Sequence, residues 1–175
     1  MAINKPNEVY WEEKVGFSEK AWVLLSIVAC IVMFMVMVAW AIAGKQNPPN
    51  EAYRVSIPSF AERAEAFIEK YKVDEENGIP VVEAPEDEDS YLIARMFYFS
   101  PVLILKQNQT YRIRVSSLDV QHGLSIQPVN MNFQVVPGYE YVLTIKPTEK
   151  GEFLIVCNEY CGLAHHVMKG KIIVK

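Results

Sequence analysis

Cys157-Asn158-Glu159-Tyr160-Cys161-Gly162-Leu163-Ala164-His165-His166-Val167-Met168 is the stretch around which the chain is organised. Two thiols, an imidazole and a thioether follow one another at spacings of four, four and three residues, so one tight loop can turn every donor toward a common centre. Sulfur mixed with imidazole suits copper or zinc. A Met thioether favours copper, because zinc sites are normally completed by Cys, His or carboxylate. One ligand is missing from the loop. The chain holds three histidines, and the one outside the motif is His122, in Leu118-Asp119-Val120-Gln121-His122-Gly123. It is the natural candidate for that position.

Other uses of these residues account for less of the pattern. A disulfide between Cys157 and Cys161 explains neither His165 nor Met168. A structural zinc site would take two Cys and two His and leave the Met unused. A single-copper electron-transfer site uses one Cys, two His and a distant Met, which leaves a Cys over. Two cysteines can instead bridge two coppers, each with one terminal His.

At these positions the chain resembles subunit II of the haem–copper oxygen reductases, the cytochrome c oxidases. The family motif Cys-x-Glu-x-Cys-Gly-x-x-His-x-x-Met is filled at every fixed position, and the likeness extends to Asp119-Val120-x-His122 and Val136-Pro137-Gly138. The resemblance implies a dinuclear copper centre, CuA, with Cys157 and Cys161 as bridges. His122 and Met168 would complete one ion, and His165 with the Glu159 backbone carbonyl the other. Asp119 is expected behind His122, and Tyr160 is a candidate electron-entry residue.

Outward from the motif, residues 90–175 read as short β-rich runs at Leu92–Phe99, Val102–Lys106, Tyr111–Ser116, Leu124–Gln127, Asn132–Val136, Tyr141–Lys146, Glu152–Val156 and Lys171–Val174. Pro101, Asn108, Pro128, Pro137-Gly138, Pro147 and Gly151 punctuate them. Such a series describes a Greek-key β-sandwich. With the donor loop between the last two strands and His122 between earlier ones, the expected fold is an all-β cupredoxin. Phe97, Tyr98 and Phe99 fall where the family has an aromatic cluster and are read as core.

The hydrophobic share of 51% is high for a wholly soluble protein, and the excess lies in Trp22–Ala43, 22 residues without a charge. As a helix this run rises about 33 Å, enough for a bilayer core of about 30 Å. Trp22 and Trp40 mark its ends, where aromatic rings favour the headgroup zone. A secretory or lipoprotein signal would have a short basic leader, whereas this leader carries Glu8, Glu12, Glu13 and Glu19. One N-terminal transmembrane helix is therefore expected, preceded by a cytoplasmic segment (1–21). The resemblance places the C-terminal domain outside the cytoplasm of a bacterial or archaeal cell. By the same likeness Glu19 is a candidate for proton entry.

Residues 44–89 read as a linker. Gln46-Asn47-Pro48-Pro49-Asn50 cannot continue a helix. Ser59-x-x-Glu62 resembles a capping box ahead of an amphipathic helix over 60–72, and residues 74–89 hold eight acids and no base, the pattern of a solvated loop. The net charge of −4 gives no reason to expect a nucleic-acid partner.

The resemblance implies an electron-entry subunit of a terminal respiratory oxidase, taking single electrons from cytochrome c and passing them to haem in subunit I, where dioxygen is reduced. Two other readings use the same ligands: a membrane-anchored copper carrier or assembly protein, and the CuA subunit of a nitric oxide reductase.

Overall fold

The computed structural model describes residues 14–44, 51–129 and 131–175. The acids Glu8, Glu12 and Glu13, most of the cytoplasmic segment, the proline-rich joint and Asn130 lie outside the described residues. The chain divides into two units, Met1–Gln46 and Asn47–Lys175.

The described residues of the first unit form one helix, α1 (Phe17–Ala43), five residues longer at its start than the uncharged run. It is the one helix among the described residues long and apolar enough to cross a bilayer. The Glu19 carboxylate accepts a hydrogen bond from the Gly16 N–H at 3.2 Å, which satisfies one of the free donors of the first turn.

The second unit is built from β1 (Glu51–Arg54), α2 (Ile57–Tyr71), β2 (Lys72–Glu76), β3 (Ile79–Glu83), β4 (Ser90–Arg95), β5 (Tyr98–Ser100), β6 (Val102–Leu105), β7 (Tyr111–Ser117), β8 (His122–Gln127), β9 (Met131–Val135), β10 (Tyr139–Ile145), β11 (Gly151–Val156) and β12 (Lys169–Val174). All twelve strands join one sheet, ordered β1-β10-β7-β4-β5-β12-β11-β8-β9, with β6 bridging β12 and β3 and with β2 paired to β3. The sheet curls so that β9 approaches β7 and β10, the two halves facing each other as in a cupredoxin sandwich. Alternation explains the burial: in β7 Tyr111, Ile113 and Val115 are buried while Arg112 and Arg114 reach toward solvent. Leu92, Phe99, Leu103, Leu105, Leu124 and Ile155 meet these residues in the core.

Three expectations for residues 44–89 are corrected. The span is not a linker throughout: β1 pairs with β10, so among the described residues the sheet begins at Glu51. The helix starts earlier, at Ile57, with Ser56 as its N-cap accepting from the Ser59 N–H. Pro58 then lies in the first turn, where its missing N–H costs nothing. Phe60, Ala64 and Phe67 are buried, so the apolar face packs on the domain.

The acidic stretch is largely structured. β2 and β3 form a hairpin whose turn residues Asn77 and Gly78 both take positive φ (52° and 79°), the geometry that matches strand twist. Its carboxylates meet cations from distant elements: Glu76 meets Lys171, Glu86 meets Lys106, Glu88 meets Lys70, and Asp89 meets Arg112 and Arg114. The expected strand Leu92–Phe99 is also divided, its two parts turning back at Met96-Phe97 to pair Arg95 with Tyr98. Phe99 is buried and Phe97 packs against the core, but Tyr98 is exposed.

Candidate metal centre

The donor loop joins β11 to β12, and these strands pair through to Val156 opposite Lys169. Both ends of the loop are thereby held side by side, and the Cys157 N–H donates to the Met168 carbonyl at 3.3 Å. β8 pairs with β11 on its other edge, which brings His122, the first residue of β8, to the mouth of the loop.

The expected ligands converge. The Cys157 and Cys161 sulfurs are 3.8 Å apart and form no disulfide, whose S–S distance would be about 2.05 Å. His122 Nδ1 lies 3.9 Å from Cys157 Sγ, whose thiol also donates to the Glu159 carbonyl at 3.3 Å. Cys161 Sγ lies 3.6 Å from His165 Nδ1 and 3.6 Å from Met168 Sδ. His122, Cys157 and Cys161 form a compact trio with ligand atoms within 4.8 Å of one another. His165 contacts Cys161 without joining that trio, so the thiol pair has one imidazole beside each member.

These separations suit metal chelation. Two sulfurs each about 2.3 Å from one tetrahedral ion lie about 3.8 Å apart, and a sulfur and an imidazole nitrogen about 3.6 Å apart. The soft, mixed sulfur and nitrogen set fits copper. Without metal, burial and the neighbouring Cys157 push the Cys161 thiol up to about 11, so metal binding must displace its proton.

His122 is fully buried, and its Nε2 lies 2.7 Å from Asp119 Oδ1. A carboxylate there keeps the proton on Nε2 and leaves the Nδ1 lone pair facing the thiols. Burial by itself would push the Asp119 carboxyl up. Donation from the Met96 N–H at 2.8 Å, from His122 and from the Val120 N–H outweighs burial and holds it below its ordinary value. Asp119 thus joins the His122 turn to the β4–β5 tip. Of the remaining expected residues, Tyr160 is exposed with its ring 5.9 Å from that of His165. His166 is exposed, and Glu19 belongs to the other unit of the chain.

Some supports of the site escaped the sequence reading. Gly123 passes so close to the loop that a Cβ would lie 1.9 Å from Asn158 Oδ1 and 2.8 Å from the Glu159 backbone nitrogen. Its place directly after a candidate ligand histidine is the signal that could have revealed it. The Glu159 side chain accepts from Gln134 at 3.1 Å, and Asn158 donates to Asn132 at 2.7 Å, tying the loop to β9. No local pattern announces those contacts.

Comparison with known proteins identifies the family. Residues 82–175 match the family model described as cytochrome C oxidase subunit II, periplasmic domain. Cytochrome c oxidase subunit 2 of Thermus thermophilus is 30% identical over 163 residues, spanning 90% of this chain and 91% of the relative. A haem–copper terminal oxidase dimer solved by cryo-electron microscopy contains a chain of similar structure, with TM-score 0.59 and 27% identity over 90% of this chain and 99% of the other. A His143Met variant of rusticyanin shares the fold, with TM-score 0.50 and 20% identity over 71% of this chain and 98% of its own. The chain belongs to the cytochrome c oxidase subunit II family and is part of an oxidoreductase complex.

Proposed function

We propose that the chain is the electron-entry subunit of a terminal oxidase, taking single electrons from cytochrome c and delivering them to haem in subunit I for the reduction of dioxygen. The observation that carries this reading is the thiol pair of Cys157 and Cys161 with an imidazole beside each member. A lone copper or a zinc ion would leave part of that set unused. Cys157 and Cys161 would hold two copper ions between them, with His122, His165, Met168 and the Glu159 carbonyl completing the set. When bound, the pair of ions supplies a one-electron couple shared over two metals.

The protein's own part is positional. Asp119 fixes the tautomer of His122, and Gly123 lets β8 approach the loop. The paired ends of β11 and β12 keep both thiols in one arrangement, so a change of charge need not move the ligands. Tyr160, exposed beside His165, is our candidate for electron entry. The apolar α1 is assigned to the inner membrane as a single span, with the metal-binding domain on the periplasmic side, in keeping with the periplasmic domain matched by residues 82–175.

Metal analysis and electron paramagnetic resonance of the copper-loaded chain test the reading. Two coppers per chain, with hyperfine structure from one electron shared over two nuclei, are expected. One copper with single-nucleus splitting, or zinc that copper cannot displace, overturns it.

A further inference from the structure

The copper end of the domain is apolar and carries unpaired positive charge. Around the donor loop Leu163 is 92% exposed, Tyr160 78% and Val167 56%, with Met96 and Val120 beside them at 40% and 38%. The loop and the β4–β5 tip form one surface: a Cβ on Gly162 would lie 3.1 Å from the Phe97 ring and 3.6 Å from Met96 Sδ. Strand register then sets a row along the flank. Arg95 opposes Tyr98 in β5, and Tyr98 opposes Lys169 in β12, so three exposed side chains share one face.

No ion pair holds Arg95 or Lys169 among the described residues, whereas Lys171, one pleat further along β12, meets Glu76 and Glu152. Two carboxylates at this end already hold hydrogen bonds within the domain, Asp119 to a buried imidazole and Glu159 to a neutral amide at the surface. Asp119 takes donors from Met96, Val120 and His122, and Glu159 accepts from Gln134 on β9. Of the eight acids in residues 74–89, five (Glu75, Glu76, Glu86, Glu88 and Asp89) meet cations of this same chain, which reduces the negative charge that stretch offers to a partner.

We infer that the electron donor docks at the copper end through an apolar contact flanked by its own carboxylates, which meet Arg95 and Lys169. The partner is thus a one-electron carrier with a neutral to acidic face. One electron would leave the donor's ferrous haem for the copper that Cys157, Cys161, His122 and His165 would hold, reducing it by one electron with no bond formed or broken. This inference rests on the electron-entry reading above. Rim charges of this kind act chiefly on association rate and on its salt dependence, while the apolar centre supplies contact area.

The test uses the assembled, copper-loaded oxidase and cytochrome c in two forms that differ in surface charge, the lysine-rich protein and its succinylated derivative. Redox-inert zinc-porphyrin versions report binding, and ferrous versions report electron transfer. At low ionic strength the succinylated form is expected to bind several-fold tighter, with the advantage lost as salt rises. Reversing both cations (Arg95→Glu with Lys169→Glu) should weaken its binding roughly tenfold and strengthen that of the lysine-rich form. The conservative pair Arg95→Lys with Lys169→Arg should behave as the parent. Tighter binding of the lysine-rich form at low salt, or indifference to charge reversal, overturns the inference and leaves the electron-entry reading standing. If neither cytochrome binds or reduces the complex while ascorbate with a phenylenediamine mediator does, the electron-entry reading fails and this inference fails with it.

Discussion

Gly123→Ala offers a strict test of how the metal loop is held. The new methyl group would sit 1.9 Å from Asn158 Oδ1 and 2.8 Å from the Glu159 backbone nitrogen. The first obstacle is the end of a side chain and can swing away, at the cost of the 2.7 Å hydrogen bond from Asn158 to Asn132. The second is main chain. Moving it from 2.8 Å to an ordinary contact at 3.4 Å requires a retreat of about 0.6 Å, at the residue whose carbonyl is a proposed ligand. Overpacking of this kind costs about 1–3 kcal/mol, which for a domain of this size lowers Tm by roughly 3–12 °C. Calorimetry of the metal-free chain and competitive copper titration measure the two consequences separately. The decisive variant adds Asn158→Ala, which removes the first obstacle and keeps the second. The double variant should stay destabilised and bind copper more weakly than Asn158→Ala alone. If it matches Asn158→Ala in both measurements, the backbone contact does not shape the loop and the reasoning is wrong.

Three further outcomes are expected. Asp119→Asn retains the shape but loses the charge that holds the Nε2 proton of His122, and should lower copper affinity about 10–100-fold with a shift in the redox potential; an unchanged affinity and potential would leave Asp119 a turn residue only. Glu140, 3% exposed and held by Arg63 and Arg114, should cost about 1–3 kcal/mol when replaced by Ala, because partly exposed Arg63 loses its carboxylate and Arg114 keeps only Asp89. Burial opposes ionisation there, yet the two guanidinium groups prevail and hold the carboxyl below its ordinary value. Its contribution is therefore complete above the unfolded value of about 4.3 and is lost as pH falls through the lower folded value, so urea melts of the parent should weaken with acid below about pH 4 while those of Glu140→Gln change less. Finally, iodoacetamide should label Cys161 in the metal-free chain slowly at neutral pH and faster toward pH 11, since its thiol is pushed up to about 11; rapid labelling at pH 7 would mean that the thiols are not buried as described.

The sequence alone carried the candidate ligand set and the class of fold. The donor loop was legible because all but one of the candidate side-chain ligands lie within twelve residues, and soft donors at spacings of four, four and three have few other uses. His122 could be assigned because the chain holds so few histidines. The long apolar helix was equally plain, since 22 uncharged residues leave little choice. What lay beyond the sequence was every relation between distant strands. The block at 74–89 looks like a repelling acidic loop because its cations, Lys106, Arg112, Arg114 and Lys171, are supplied by segments further along the chain. β1 looks like linker because four residues gain a sheet partner only when β10 is in place. Asp119 could be suspected of supporting His122, but its bond to the Met96 N–H depends on the turn between β4 and β5. The unpaired row of Arg95, Tyr98 and Lys169 arises from the registers of three strands and has no local signature. Ligand chemistry is a property of residue type and short spacing, so it is written locally. Charge pairing, strand register and close backbone approach are set by which distant segments meet, and the tertiary structure decided those.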